Sequence, residues 1–238
     1  MISFVVPAYN EEQHIRRTLE SIHASARATG ELYEIIVADD ASSDRTHDIA
    51  AQSGARVISV QHRQIAATRN AGARAASGDV LFFVDADTSV SPGAVREALR
   101  VMRAGAAGGG SRVHFDGRFP LHFKALIRAS GALSRATRLA FGCFLFCRKD
   151  AFDAVAGFDE TLFASEELAL SRALKRRGRF VILRESVTTS GRKLRAHSAW
   201  EVWRALGSAT LHMLGIVRGR RGLDAWYGGR RRDPEARA

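Results

Sequence analysis

Apolar and polar positions come in blocks over the first hundred or so residues. Residues 2–6 form a short apolar run ended by Pro7, which predicts a buried strand. Across 11–27, Ile15, Leu19 and Ile22 recur at helical spacing, with Asn10 available as the N-cap. Residues 33–38 are a second apolar run, ended by Asp39-Asp40. Asp44 is placed to cap a helix over 45–53, and 56–60 predict a third strand. An Ala-rich helix over 65–76 is expected to close with Gly78 as C-cap. Residues 80–84 predict a fourth strand, ended by Asp85-Ala86-Asp87. Ser91-Pro92 then opens a further helix, with proline in its first turn.

Repeated strand–helix alternation of this kind predicts an α/β fold with a mostly parallel central sheet flanked by helices on both faces. In such sheets ligands bind outside the carboxyl ends of the strands. The polar punctuation falls at those ends: Pro7-Ala8-Tyr9-Asn10, Asp39-Asp40 and Asp85-Ala86-Asp87. Their expected gathering on one rim defines a candidate site. The second half is less regular. A flexible stretch over 105–110 is expected to lead into a strand near 111–115. Helices are expected over 119–139 and 164–177, strands over 142–148 and 180–183, and a last long helix over 199–217. Residues 228–238 read as a flexible basic tail, and no internal repeat is found.

Charge changes the picture, because it is unevenly spread. The 238 residues carry 36 Lys+Arg and 25 Asp+Glu, a formal net charge of +11. Residues 1–90 nonetheless hold 8 basic against 12 acidic side chains. A protein that only binds nucleic acid has no evident need for an acidic first third. The N-terminus shows no basic n-region or cleavage site, so no signal peptide is expected. No window approaches the ~18 apolar residues of a membrane span. Cys143 and Cys147, the only cysteines, have no His or Cys cluster beside them and read as buried thiols of a reducing, cytoplasmic setting.

The acidic strand ends carry the candidate chemistry. Two carboxylates two apart on an extended chain point the same way, so Asp85 and Asp87 can share one hard divalent cation, directly or through water. Such a cation could stabilise a diphosphate leaving group. The plainer alternative is a turn that caps the next helix. Asp39 could accept from a base N–H, or serve only in an Asx turn with Ser42 and Ser43. No G-x-G-x-x-G follows the first strand and no G-x-x-x-x-G-K-[ST] occurs, which disfavours a dinucleotide site and excludes a P-loop.

Val5-Val6-Pro7-Ala8-Tyr9-Asn10-Glu11-Glu12 closely resembles the opening of family 2 glycosyltransferases. The resemblance continues in order through 37–46, Ala67-Thr68-Arg69-Asn70-Ala71-Gly72, Ser77-Gly78-Asp79 and Phe83-Val84-Asp85-Ala86-Asp87. Gly157-Phe158-Asp159-Glu160, followed by Glu166-Glu167, resembles the acceptor-side motif, and the whole spans about 2–184. The resemblance implies a GT-A fold, with a nucleotide-sugar half (1–104) continuous with an acceptor half (105–227). It implies metal-dependent, hexosyltransferase-like transfer, with inversion, from a UDP- or GDP-sugar to an acceptor hydroxyl, using Mn²⁺ or Mg²⁺. By position, Pro7, Ala8, Tyr9 and Glu11 would line the nucleoside pocket and Asp39 would contact the base. Arg69 would lie near the donor. Asp85 and Asp87 would serve ribose, metal and diphosphate, with Asp87 the stronger metal candidate.

Inversion needs a base opposite the leaving group. Relatives usually have Glu-Asp where this chain has Glu166-Glu167. Glu167 occupies the usual base position and is favoured over Glu166, although two acids at a helix start also complement its dipole. Many relatives place a metal-ligating His near Thr189-Ser190-Gly191-Arg192-Lys193, where this chain has none, and His197 is displaced. Arg192 or Lys193 could instead hold the diphosphate, or belong to a solvated basic loop. Trp200, Trp203, Leu206, Leu211, Leu214 and Val217 approximate one helical stripe, followed by Arg218, Arg220 and Arg221. That helix either packs on the domain or lies at an anionic membrane face, which would suit a lipid-linked acceptor. Two other functions compete: a sugar nucleotidyltransferase and a non-enzymatic basic polyanion-binding module. The first usually shows a Gly-rich basic signature after the first strand, and the second would leave the acidic rim unused.

Overall fold

The computed structural model of the chain describes residues 1–117, 119–140, 142–192 and 195. The expected helix over 199–217, the tail at 228–238, Lys193 and His197 lie outside the described residues. The first strand, β1 (Ile2–Ala8), is buried along its whole length. Alternate side chains serve opposite faces: Phe4 and Val6 join one core, Val5 the other. A strand buried on both faces needs the near-continuous apolar run seen in the sequence. Helix α1 (Ile15–Arg27) presses Ile15, Leu19, Ile22 and Ala26 into the first core. It begins four residues later than expected, so Asn10 does not cap it. Asn10 instead takes a left-handed φ of 51° and bonds the Ser42-Ser43 loop. Its side-chain oxygen is thereby spent across the rim rather than on the helix.

Strand β2 (Tyr33–Asp40), helix α2 (Thr46–Gln52) and strand β3 (Arg56–Val60) follow. Asp44 accepts from the Thr46 backbone N–H at 2.9 Å, but the helix starts one residue later than expected, so Asp44 sits one position ahead of the N-cap, Arg45. Next come α3 (Ile65–Ala75), β4 (Val80–Val84), a two-residue strand β5 (Thr88–Ser89) and α4 (Pro92–Arg103). Ser91 caps α4 as its sequence indicates, accepting from Ala94 N–H at 3.1 Å. Gly78 is not a helix cap: α3 ends in an extended Ala76. A Cβ at Gly78 would lie 2.9 Å from the backbone of Met1 and Ile2, so glycine is required by close approach.

Strand β6 (Ala106–Phe115) swallows the segment expected to be flexible. A Cβ on Gly109 would sit 2.2 Å from the Val181 carbonyl oxygen and 2.5 Å from the Phe146 ring. Glycines here admit neighbouring backbone and ring instead of loosening the chain. Gly109→Ala is expected to cost about 1–3 kcal/mol through overpacking. Urea unfolding measures it, and an unaltered midpoint would mean that the strand yields easily.

Helix α5 (Leu121–Thr137), strand β7 (Phe144–Arg148), short helix α6 (Lys149–Asp153), helix α7 (Glu166–Arg177) and strand β8 (Arg179–Thr189) complete the described order. The strands form one sheet in the order β3-β2-β1-β4-β7-β6-β8-β5. Four of its seven pairings are parallel. Helices α1 and α4 pack on one face, and α3, α6 and α7 on the other. β8 runs six residues beyond the expected strand end. It pairs parallel to β6 and finishes beside β5, with Thr189 opposite Thr88. That register carries residues 190–192 to the rim.

Candidate active site

The carboxyl ends of β1, β2 and β4 share one rim, because Ala8 pairs with Asp39 and β4 lies against β1. Pro7 and Ala8 are buried in the end of β1. Tyr9 is half-buried, and the Arg63 guanidinium lies 3.9 Å from its ring centroid. Arg63 was not singled out in the sequence. The signal available was His62-Arg63-Gln64, a polar punctuation after β3 like those after the other strands. Asp39 is buried, accepts from Ser42 N–H at 3.3 Å and faces His47 Nδ1 at 3.5 Å. Its neighbour Asp40 has a different task. It accepts from the backbone of His62, Arg63 and Gln64 and from the Thr68 hydroxyl, fixing the turn that starts α3.

Helix α3 organises the site. Gly72 lets it approach β1: a Cβ there would lie 2.4 Å from Val5 Cγ1. Asn70 bonds both backbone groups of Phe158, which binds residues 157–160 to the rim. Arg69, between Thr68 and Asn70, is 2% exposed. Its Nη2 donates to Asp85 Oδ1 at 2.8 Å, and its Nη1 to Glu166 at 2.9 Å and Glu167 at 3.0 Å. One guanidinium therefore joins the end of β4 to the start of α7, and the Phe158 ring lies against it. Burial works against the Arg69 charge, but Glu167, Asp85 and Glu166 outweigh it and hold its pKa above the ordinary value.

The Glu166–Glu167 pair is not symmetrical. Ser165 enters α7 in a left-handed conformation, φ 65°, a backbone state costly for a residue with a Cβ. Glu166 is buried, whereas the Glu167 side chain is 16% exposed. Burial first, then the charge of Glu167, push the Glu166 carboxyl up to about 8 against the pull of Arg69. Glu166 thus favours its protonated form more than an ordinary carboxyl does, and Glu167 is the more accessible of the two.

Asp85 and Asp87 do not lie on an extended chain. The backbone turns between them, with Thr88 N–H donating to the Asp85 carbonyl. The turn is held from below by Thr18 Oγ1, which donates to Ala86 O. The shared-direction geometry expected from the sequence is lost, and each carboxylate goes to its own arginine. Asp87 Oδ2 is 3.0 Å from Arg192 Nη2, which also lies 2.6 and 2.8 Å from the two Glu11 oxygens. Thr189 donates to Asp87 Oδ1 at 3.3 Å. Burial opposes the Arg192 charge, but Glu11 and Asp87 outweigh it and raise its pKa.

The donor set fits a metal only in part. Glu11 and Asp87 offer hard oxygens converging on one cationic nitrogen, as a divalent ion would require. Among the described residues, no group of three or more His, Cys, Asp or Glu side chains could hold a metal. The residues therefore suit an ion whose remaining ligands are phosphate oxygens and water, not one caged by protein. Cys143 and Cys147 are buried and unbridged, and burial raises the Cys143 thiol to about 12. Among the described residues, no helix is long and apolar enough to cross a membrane.

A sheet of this order, with an acidic rim at its parallel strand ends and a carboxylate pair across from it, has the GT-A glycosyltransferase architecture. The chain belongs to glycosyl transferase family 2, whose model matches residues 3–155. The undecaprenyl-phosphate 4-deoxy-4-formamido-L-arabinose transferase of Serratia proteamaculans is 34% identical over 115 residues, 44% of this chain and 34% of the relative. The chain thus spans about a third of the length of the first curated relatives it matches. The fold is shared with solved structures of other glycosyltransferases. S. aureus TarS 1-349 in complex with UDP-GlcNAc has a TM-score of 0.62 and 19% identity, covering 88% of this chain and 66% of that one. Mannosyltransferase PcManGT from Pyrobaculum calidifontis, in complex with GDP-Man and Mn²⁺, has a TM-score of 0.66 and 17% identity, covering 90% and 63%.

Proposed function

We propose that this chain transfers a sugar, with inversion, from a UDP- or GDP-sugar to an acceptor hydroxyl, and that transfer requires Mn²⁺ or Mg²⁺. The observation that carries the reading is the Arg69 bridge. It sets a rim carboxylate, Asp85, and two glutamates on one rigid guanidinium, joining a donor side to a base side.

In this reading Pro7, Ala8 and Tyr9 bound the nucleoside, with Arg63 backing the tyrosine ring. Asp39 accepts from the base and Asp85 faces the ribose. Asp87, with Glu11 close by, would hold the divalent ion, which supplies charge neutralisation for the diphosphate as it leaves. Arg192 supplies a further cation for the diphosphate itself. Glu167, the more accessible acid, takes the proton of the attacking hydroxyl while Glu166 keeps its own. Arg69 cannot reach substrate at its depth, so it acts by positioning the carboxylates. The GDP-Man and UDP-GlcNAc complexes of the two fold relatives support a nucleotide-sugar donor. The name of the Serratia relative supports a lipid-linked acceptor.

The test is a panel of UDP-, GDP- and dTDP-sugars with Mn²⁺ or Mg²⁺, read by thermal shift and donor hydrolysis. One nucleotide class is expected to raise the melting temperature and to be turned over only with metal. Asp87→Ala is expected to abolish both responses. A flat response across the panel, or an Asp87→Ala protein that behaves like wild type, refutes the reading.

A further inference from the structure

We propose that Arg192 is a tethered cation that occupies the metal position of the donor-free protein, so that a divalent ion enters only together with the diphosphate that draws the arginine away. This rests on reading the rim as a nucleotide-sugar donor site. The evidence is a convergence of charge. A single nitrogen, Nη2, lies within 3.0 Å of three carboxylate oxygens, two from Glu11 and one from Asp87. The side chains are 15%, 10% and 12% exposed, so water screens them little.

The arginine is delivered there by regular structure. Thr189 at the end of β8 pairs with Thr88, and the next residue, Ser190, donates its N–H to the Asp87 carbonyl. The carboxylates are equally placed. Thr189 Oγ1 bonds Asp87 Oδ1, leaving Oδ2 toward Arg192. The backbone of Glu11 is held by a 2.6 Å bond from its N–H to Thr46 Oγ1. Three oxygens pointing at one cation from fixed backbones form a site of the kind a hard ion seeks. A guanidinium and a divalent ion repel, so they cannot share it.

Two consequences follow. Metal binding without donor is weak, because the ion must expel a paired arginine. A diphosphate relieves this by offering Arg192 a new anionic partner and completing the coordination of the ion. Nucleotide and metal therefore strengthen each other, by the same factor in both directions.

Mn²⁺ binding to the full chain, followed by electron paramagnetic resonance of the free ion, tests the proposal without any turnover. Wild type, Arg192→Gln and the double variant Arg192→Gln/Asp87→Asn are titrated with and without UDP or GDP. A parallel Arg192→Met series and a thermal melt of each protein separate misfolding from loss of charge. Removing a like charge beside the ion is expected to tighten donor-free Mn²⁺ binding at least about tenfold. Asp87→Asn should cancel that gain, and nucleotide should tighten Mn²⁺ binding more in wild type than in Arg192→Gln. Equal donor-free affinities in wild type and both Arg192 variants, with nucleotide still tightening Mn²⁺ binding, overturn the proposal while leaving the donor site intact. No Mn²⁺ binding by any protein, with or without nucleotide, overturns both.

Discussion

Replacing Arg69 by methionine is expected to produce the largest loss in this molecule, in both stability and transfer. The substitution preserves bulk and removes the guanidinium that pairs with Asp85, Glu166 and Glu167 at their shared centre. Breaking a buried ion network by deleting one partner costs about 3–5 kcal/mol. The Asp85 side chain is 29% exposed and Glu167 16%, so water screens part of their repulsion, and the lower end is expected. The sign with pH is fixed by the same charges. Arg69 pulls the Glu166 carboxyl down, so without it Glu166 holds its proton more readily, and the deficit should grow as pH rises toward 8 and be smaller at pH 5. Urea midpoints at both values read this directly, and a variant as stable as wild type at pH 8 would exclude the network from any stabilising role. Transfer should fall by about 10²-fold or more, since small displacements of positioned groups carry losses of that size. Lysine at 69 should fall between, because an ammonium lacks the two-armed fork that reaches Asp85 on one side and the glutamates on the other.

Glu167→Gln should come second, with transfer reduced about 10²- to 10⁴-fold. Donor binding, read by thermal shift, should survive, because the amide keeps the shape and its carbonyl oxygen can still accept from Arg69, while charge and basicity are lost. Glu166→Gln provides the contrast. At pH 7 glutamine resembles the protonated acid already present, and the loss should stay below about tenfold. Its signature is in stability. The Glu166 carboxyl is raised from 4.5 to about 8, by burial and then by Glu167. A raised acid contributes stability that is complete below pH 4.5 and is lost as pH climbs to about 8. The wild-type unfolding free energy should therefore decline across that window relative to Glu166→Gln. Parallel pH curves for the two proteins would show that Glu166 ionises normally. A Glu166→Gln protein that loses as much transfer as Glu167→Gln would make Glu166 the base.

The sequence alone determined the strand–helix order of the first half and the rim on which its polar strand ends meet. These are local matters. An apolar run at the right length becomes a buried strand, Ser91-Pro92 starts a helix, and parallel strands bring their carboxyl ends to one edge. Family motifs singled out Arg69, Asp85, Asp87, Glu166 and Glu167, the residues that dominate the centre. The glycines were less legible. Gly78 and Gly109 look like breakers in one dimension, and only neighbouring backbone shows that they are places of close approach.

Tertiary structure decided which carboxylate meets which arginine. Asp85 and Asp87 are two residues apart, yet a turn sends one to Arg69 and the other to Arg192. Arg69 and Glu166 are 97 residues apart, and Glu11 and Arg192 are 181 apart. Residue spacing cannot encode such pairs. They depend on the tight seat of α3 over β1, the left-handed entry into α7, and the register of β8 that sets Thr189 opposite Thr88. Short-range periodicity builds the elements. The electrostatics of the site comes from how rigid elements pack, because a charge is paired or left unbalanced only once its distant neighbours are in place.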